Sequence, residues 1–249
     1  MKSYLSELFS SIQGEGPYVG ERHLFMRFCG CHRACVYCDT DTRRTEYVTV
    51  ERVAGSGIFE QVPNPLSVEQ LIELVRAIDH KKNNKKISIT GGAPLLQAKF
   101  LQSLMPRLAE DGHALYLETA GDLPQQLESL IEWVDVAAMD VKLSSVTEEK
   151  NSFPAHWQFL TCLRKYEVET FVKLIVSANT DEAELAEAYK GIAKSGGRET
   201  LLVIQPMSAT EVVDAPPTVD QLMRWQEMGL SFLDEVRVIP QTHKMMEML

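Results

Sequence analysis

From residue 67 to residue 240 the chain alternates short apolar runs with longer amphipathic ones, and this rhythm restricts its fold more than any other feature. "SVEQLIELVRAIDHKK" opens the series as a predicted helix. Ser67 can cap it, Gln70 completes a capping box, and Val68, Leu71, Ile72, Val75 and Ile78 form an apolar stripe. "KISIT" follows as a strand with "GGAP" as its turn. The next helix is "AKFLQSLMPRLAE", with Gly112 past its end and Pro106 as the residue least suited to its middle. "ALYLE" is a strand and "TAG" its turn. Helix "PQQLESLIEWV", strand "DVAAMDV", a helix around residues 155–165 and strand "TFVKLIVS" come next. Helix "DEAELAEAYKGIAK", strand "TLLVIQP", helix "TVDQLMRWQEMG" and strand "EVRVIP" complete the series.

Strands separated by helices of this length join in parallel through βα crossovers. With "HLFMRFC" (residues 23–29) as a first strand, the pattern predicts an α/β fold of about six to seven mostly parallel strands. That number suits an incomplete (β/α) barrel better than a closed eight-stranded one. Residues 41–66 break the rhythm: "TEYVTVE" reads as strand and "AGSGIFEQVPNP" as loop. They are expected to be an insertion in a single domain spanning residues 1–249.

Functional groups of parallel barrels gather in the loops after the carboxyl ends of the strands. The loop after the first strand is "CGCHRACVYCDT", residues 29–40, which holds four of the chain's five cysteines. Cys31, Cys35 and Cys38 follow the pattern C-x-x-x-C-x-x-C. A formal charge of −10 argues against nucleic-acid or membrane partners, and Glu7 interrupts the only apolar residues near the start. The expected location is therefore cytoplasmic, where thiols stay reduced, and this counts against disulfides. Structural zinc takes four protein ligands, commonly two separated pairs, but no second pair exists and His32 is too close to its neighbours to join them. A 4Fe–4S cluster takes four cysteines, so three leave one iron open to a small molecule. Ligand counts favour iron–sulfur, and a non-enzymatic zinc-stabilised domain stands as the alternative.

The same spacing after a first strand, with the aromatic Tyr37 before the last cysteine, resembles the radical S-adenosylmethionine (SAM) superfamily. More widely, "FSSIQGEGPYVGERHLFMRFCGCHRACVYCDT", "ITGGAPLLQ", "LETAG" and "PQTHK" resemble the 7-carboxy-7-deazaguanine synthase family over nearly the whole chain. The resemblance implies a radical SAM barrel with a 4Fe–4S cluster on Cys31, Cys35 and Cys38 and SAM on the open iron. One electron would then split SAM to methionine and a 5′-deoxyadenosyl radical. It implies conversion of 6-carboxy-5,6,7,8-tetrahydropterin to 7-carboxy-7-deazaguanine with release of ammonia, in queuosine or other deazapurine biosynthesis. It also implies a flavodoxin- or ferredoxin-like electron donor and a homodimer. Glycyl-radical-enzyme activases share the cysteine spacing but lack Q-G-E-G and C-D-T.

Strand alternation puts Arg27 on one face with Phe25 and Cys29, where an Arg needs an anionic partner. A structural ion pair is the ordinary answer; the resemblance makes the partner the substrate carboxylate. Ile12, Gln13, Gly14 and Glu15 read as a turn and, by resemblance, as contacts to the pterin edge. Thr90 shares a face with Ser88, and the resemblance makes it a substrate contact, as it does His243 and Leu249 in the tail. By the same resemblance Thr40 would bind Mg²⁺ together with substrate oxygens. Tyr37, Cys38, Asp39, Gly91 and Gly92 would contact SAM, with Asp140, Val141, Lys142, Gln205, Pro206 and Met207 lining the same cofactor. Cys29 and Cys162 lack cluster spacing and are predicted to be small buried residues. One position departs from the superfamily, which usually reads G-G-E-P after the second strand, its Glu holding the amino group of SAM. Ala93 stands there, so that contact is lost or replaced.

Overall fold

The computed structural model describes residues 1–208, 216–246 and 248. The chain opens with β1 (Lys2–Ser3), β2 (Leu5–Ile12) and β3 (Arg22–Phe28), followed by β4 (Tyr47–Glu51), β5 (Phe59–Pro63) and β6 (Leu66–Ser67). Then come α1 (Val68–Ile78), β7 (Lys86–Gly91), α2 (Ala98–Glu110), β8 (Ala114–Thr119), α3 (Pro124–Glu128) and β9 (Val136–Asp140). The remainder is α4 (Ser144–Thr147), α5 (Phe153–Lys165), β10 (Glu169–Val176), α6 (Glu182–Gly196), β11 (Leu201–Pro206), α7 (Val219–Leu230), β12 (Val236–Val238) and α8 (Thr242–Met245).

One ten-stranded sheet runs in the order β12-β11-β10-β9-β8-β7-β3-β2-β4-β5. From β12 to β3 every pairing is parallel, and these are the strands the sequence rhythm predicts. Its ends are β12 and β5, so the sheet is open, an incomplete barrel. The strand β2, which hydrophobic alternation does not announce, pairs antiparallel with β3 and sets Phe9 opposite Phe25 and Glu7 opposite Arg27. It escapes a period-two pattern because Leu8, Phe9, Ser10 and Ser11 are all buried, so both its faces are covered. The stretch 54–65, expected as loop, carries β5, whose pairing with β4 extends the sheet beyond β2.

The capping box of α1 forms as predicted, with Gln70 N–H donating to the Ser67 hydroxyl. Its apolar stripe packs in the main core, which also takes Ile87 and Ile89 from β7. α2 continues through Pro106, its Leu101, Leu104, Met105 and Leu108 held in the core. "PQQLESLIEWV" is not one helix. The Ser129 hydroxyl donates to Gln126 O and ends α3, and a short 3₁₀ turn at Ile131–Trp133 follows.

The opposite face of the parallel strands carries a second, smaller cluster of Tyr116, Val136, Ala138, Phe171 and Val203. Residues two further along each strand share that face. They are Glu118, Asp140, Lys173 and Gln205, joined by Thr90 on β7, all at the carboxyl ends of their strands.

Candidate active site

Two adjoining cavities open over these strand ends, one of about 740 Å³ and one of about 200 Å³. Ile12, Gln13, Gly14, Glu15, Arg27 and His243 line the larger. Cys31, Cys35, Tyr37, Cys38, Gly91 and Gly92 line the smaller, with Asp140, Lys142, Gln205 and Met207. Glu15, Asp39, Thr40, Thr90, Glu118, Gln241 and Lys244 line both and so form the wall between them. Two of the predicted cofactor contacts fall elsewhere. Val141 is buried in the main core, its N–H bonded to Lys173 O, and Pro206 closes β11 beside Val176 without lining either cavity. Leu249 lies outside the described residues.

The C-terminal tail is fastened to the Q-G-E-G turn. Thr242 donates its N–H (2.9 Å) and hydroxyl (3.1 Å) to Gly14 O, and Gln241 Nε2 donates to Glu15 Oε1 at 2.8 Å. A Cβ on Gly14 would come within 2.3 Å of His243 Nδ1, so the glycine is what lets the imidazole close over the turn. Lys244 adds an ion pair to Asp39 at 2.8 Å.

Lys173 is a nearly buried ammonium paired with Glu15 and lying 3.2 Å from Asp140 Oδ1; Asp140 Oδ2 also takes Lys142 at 2.7 Å. Burial raises the Glu15 carboxyl, but Lys173 and the bond from Gln241 together hold it at about 2. Glu118 goes the other way: burial, helped by the Glu15 charge, raises it against the pull of Lys173. Its two oxygens accept from Gln13 Nε2 at 3.0 Å and Thr90 Oγ1 at 2.6 Å. Arg27 meets Glu7 at 2.6 Å and lies over the Phe9 ring, so the ordinary ion pair is present in a cavity-lining arginine.

Cys31, Cys35 and Cys38 are all free thiols on the wall of the smaller cavity. Soft sulfur ligands facing one space, with no fourth cysteine beside them, fit an iron–sulfur cluster that leaves an iron open. The backbone N–H of Arg33 lies 3.4 Å from Cys31 Sγ, a donor of the kind that surrounds cluster sulfurs. Gly91 and Gly92 are needed for the chain's own packing. A Cβ on Gly91 would strike Phe28 N and O at 2.4 Å, and one on Gly92 would strike Gly30 O at 2.2 Å. Ala93 is buried, its N–H donating to Gly30 O at 2.8 Å, and lines neither cavity. Gln205 Oε1, by contrast, is a buried acceptor on the wall of the smaller cavity without a partner among the described residues.

The sequence profile of the Radical SAM superfamily matches residues 26–190. A Geobacter sulfurreducens protein named 7-carboxy-7-deazaguanine synthase is 35% identical, covering 98% of this chain and 97% of its own length. The chain belongs to the 7-carboxy-7-deazaguanine synthase family. It is a radical SAM enzyme, and the zinc-domain and activase readings fall away. A second family member, from Thermococcus kodakarensis, is 33% identical over the full length of both chains. The crystal structure of QueE from Escherichia coli shares the fold, with a TM-score of 0.62 at 19% identity over 98% of this chain and 95% of its own. As in the superfamily at large, the cofactors are a 4Fe–4S cluster and SAM.

Sequence reasoning missed Glu118, Lys173 and Gln241, which line these cavities. "LETAG" contains Glu118, and the period-two pattern of β8 puts it on Tyr116's face, so a signal existed. Lys173 had a weaker one, a lone charge inside "TFVKLIVS". No helix among the described residues is long and apolar enough to cross a membrane.

Proposed function

We propose that this chain converts 6-carboxy-5,6,7,8-tetrahydropterin to 7-carboxy-7-deazaguanine with release of ammonia, feeding queuosine or another deazapurine. The observation carrying this is the shared wall, which sets a polar cavity fit for a small anionic heterocycle directly beside the thiol-lined one. When bound at Cys31, Cys35 and Cys38, the cluster supplies the electron that splits SAM.

The chain's own groups do the rest. Arg27 holds the substrate carboxylate, Thr90 contacts the substrate, and Ile12, Gln13, Gly14 and His243 border the pterin. Glu118, raised by burial, is the wall group suited to take or return a proton as ammonia leaves. Gln205 Oε1 accepts from SAM in the absence of a side-chain acceptor at Ala93, and Tyr37, Asp39, Asp140, Lys142 and Met207 complete that pocket. Thr40 borders both cavities, which supports a Mg²⁺ ion held by its hydroxyl, waters and substrate oxygens.

The unbroken sheet order supports a single domain over 1–249 with residues 41–66 as an insertion. Family resemblance supports a flavodoxin- or ferredoxin-like electron donor and a homodimer, and the free thiols suit the cytoplasm. The test is anaerobic turnover of the reconstituted protein with SAM, dithionite and carboxytetrahydropterin, following product by mass. Added Mg²⁺ is expected to raise the rate, and Thr40→Ala to blunt that gain. SAM cleavage with no deazaguanine formed defeats the substrate assignment.

A further inference from the structure

Arg33 sits inside the cysteine loop with its side chain only 7% exposed. Two carboxylates hold its guanidinium: Asp122 at 2.7 Å and Glu149 at 2.9 Å. Ser152 Oγ lies 3.1 Å from Nη1. Nη1 and Nη2 are thus engaged, whereas Nε is buried and has no hydrogen-bond partner among the described residues. A buried guanidinium N–H without an acceptor is costly, and the Cys35 sulfur lies beside this guanidinium. Arg33 lines the smaller cavity together with Cys31, Cys35 and Cys38.

Charge balance makes the same demand. Cys35 Sγ lies 3.6 Å from Glu149 Oε2, a contact that suits a neutral thiol donating to a carboxylate. Ligation to iron removes that proton and sets an anionic sulfur against Glu149. Three thiolates with Asp122 and Glu149 close by then require countercharge; Lys142 supplies part of it from the cavity wall, and Arg33 is the cation set between those carboxylates.

We propose that Arg33 tunes the cluster, donating Nε–H to one of its sulfurs and favouring its reduced state. This rests on the radical SAM reading. The step takes one electron from a low-potential one-electron donor into the cluster; the donor is oxidised by one electron and no bond forms or breaks. The added negative charge is stabilised by an adjacent cation and by hydrogen bonds to sulfur, both of which raise cluster potentials.

The test compares reconstituted wild type, Arg33→Lys and Arg33→Gln by iron and sulfide content and by redox titration followed with electron paramagnetic resonance. Iron content is expected to hold. At a fixed potential the reduced-to-oxidised ratio should fall about tenfold in Arg33→Gln, a shift of about 59 mV for one electron, and less in Arg33→Lys. The double variant Arg33→Gln/Glu149→Gln restores net charge and should recover the potential only in part. An unchanged midpoint in Arg33→Gln overturns the proposal, as does full recovery in the double variant, which would leave no role for the hydrogen bond. Loss of iron from both single variants would assign Arg33 to folding of the loop and also overturn it. Wild type that binds no iron–sulfur cluster would instead defeat the underlying reading.

Discussion

Arg27 Nη1 lies 2.6 Å from Glu7 Oε2, and the two side chains are 29% and 28% exposed on the wall of the larger cavity. Adjacent antiparallel strands deliver the pair, since β2 and β3 set these two residues directly opposite each other. The arginine therefore already has a partner, and an anionic substrate must share or displace Glu7. Arg27→Ala is expected to weaken binding of carboxytetrahydropterin by about 1.5–3 kcal/mol, the range for a hydrogen bond to a charged group. Glu7→Gln should tighten it, by less than about tenfold, because a competitor for the guanidinium is neutralised. Calorimetry with the reconstituted protein checks both; weaker binding by Glu7→Gln would mean that the pair acts as one unit.

Cys35→Ala removes one of three thiols on the smaller cavity. Two thiolates hold a 4Fe–4S cube poorly, so iron and sulfide should fall far below about four each per chain, and turnover should vanish with them. Full iron content in this variant would relocate the cluster.

Glu118 is the carboxylate that joins Gln13 to Thr90 across the wall between the cavities. Glu118→Gln keeps the shape but cannot carry the proton. Turnover should fall by about 10²–10⁴-fold, the usual contribution of a general acid or base, while SAM binding stays within about threefold. Loss of a purely structural group would instead show as a fall in melting temperature with near-normal turnover in the folded fraction.

His156 is fully buried, its Nδ1 2.9 Å from Gly121 O and its Nε2 accepting from Lys142 N–H at 3.2 Å. It thereby ties the turn after β8 to the loop after β9. Burial lowers its pKa to about 4, so the folded chain holds it neutral. The unfolded chain, with an ordinary value near 6.5, takes up the proton first as pH falls. Stability should therefore be complete above about pH 6.5, decline towards pH 4 and level off below, by about 3 kcal/mol from this group. Urea unfolding at pH 7.5, 6 and 4.5 measures the slope, and His156→Gln should flatten it. A wild type equally stable at all three would contradict the neutral assignment.

Local periodicity and covalent spacing were enough for part of this. Every parallel strand from "HLFMRFC" to "EVRVIP" was legible, since a strand packed under helices must be apolar and the crossover helices announce their own stripes. The cysteine loop was legible too, because three thiols within one turn of chain converge wherever that loop goes. β2 was not, since a strand covered on both faces shows no alternation. Neither was β5, an edge strand whose residues carry little apolar signal.

Convergence over distance is what the tertiary structure alone decided. Glu118 meets Gln13 across 105 residues, and Gln241 meets Glu15 across 226. Sheet order and register bring these groups together, and those depend on which strands pair and how the core packs. The period-two pattern of "ALYLET" tells which face Glu118 takes but not what it meets there, and Gln241 in "PQTHK" has no local property that tells it from a surface residue. Arg33 is the same case inside the most legible motif: the sequence places it among the cysteines, but only the fold brings Asp122 and Glu149 around it and leaves its Nε without a partner among the described residues. Pattern along the chain determined the scaffold and the ligand chemistry because both are set by neighbours a few residues apart. The wall, the charge balance and the fastened tail were decided by packing, because each is an encounter between side chains whose separation in sequence carries no information about their distance in space.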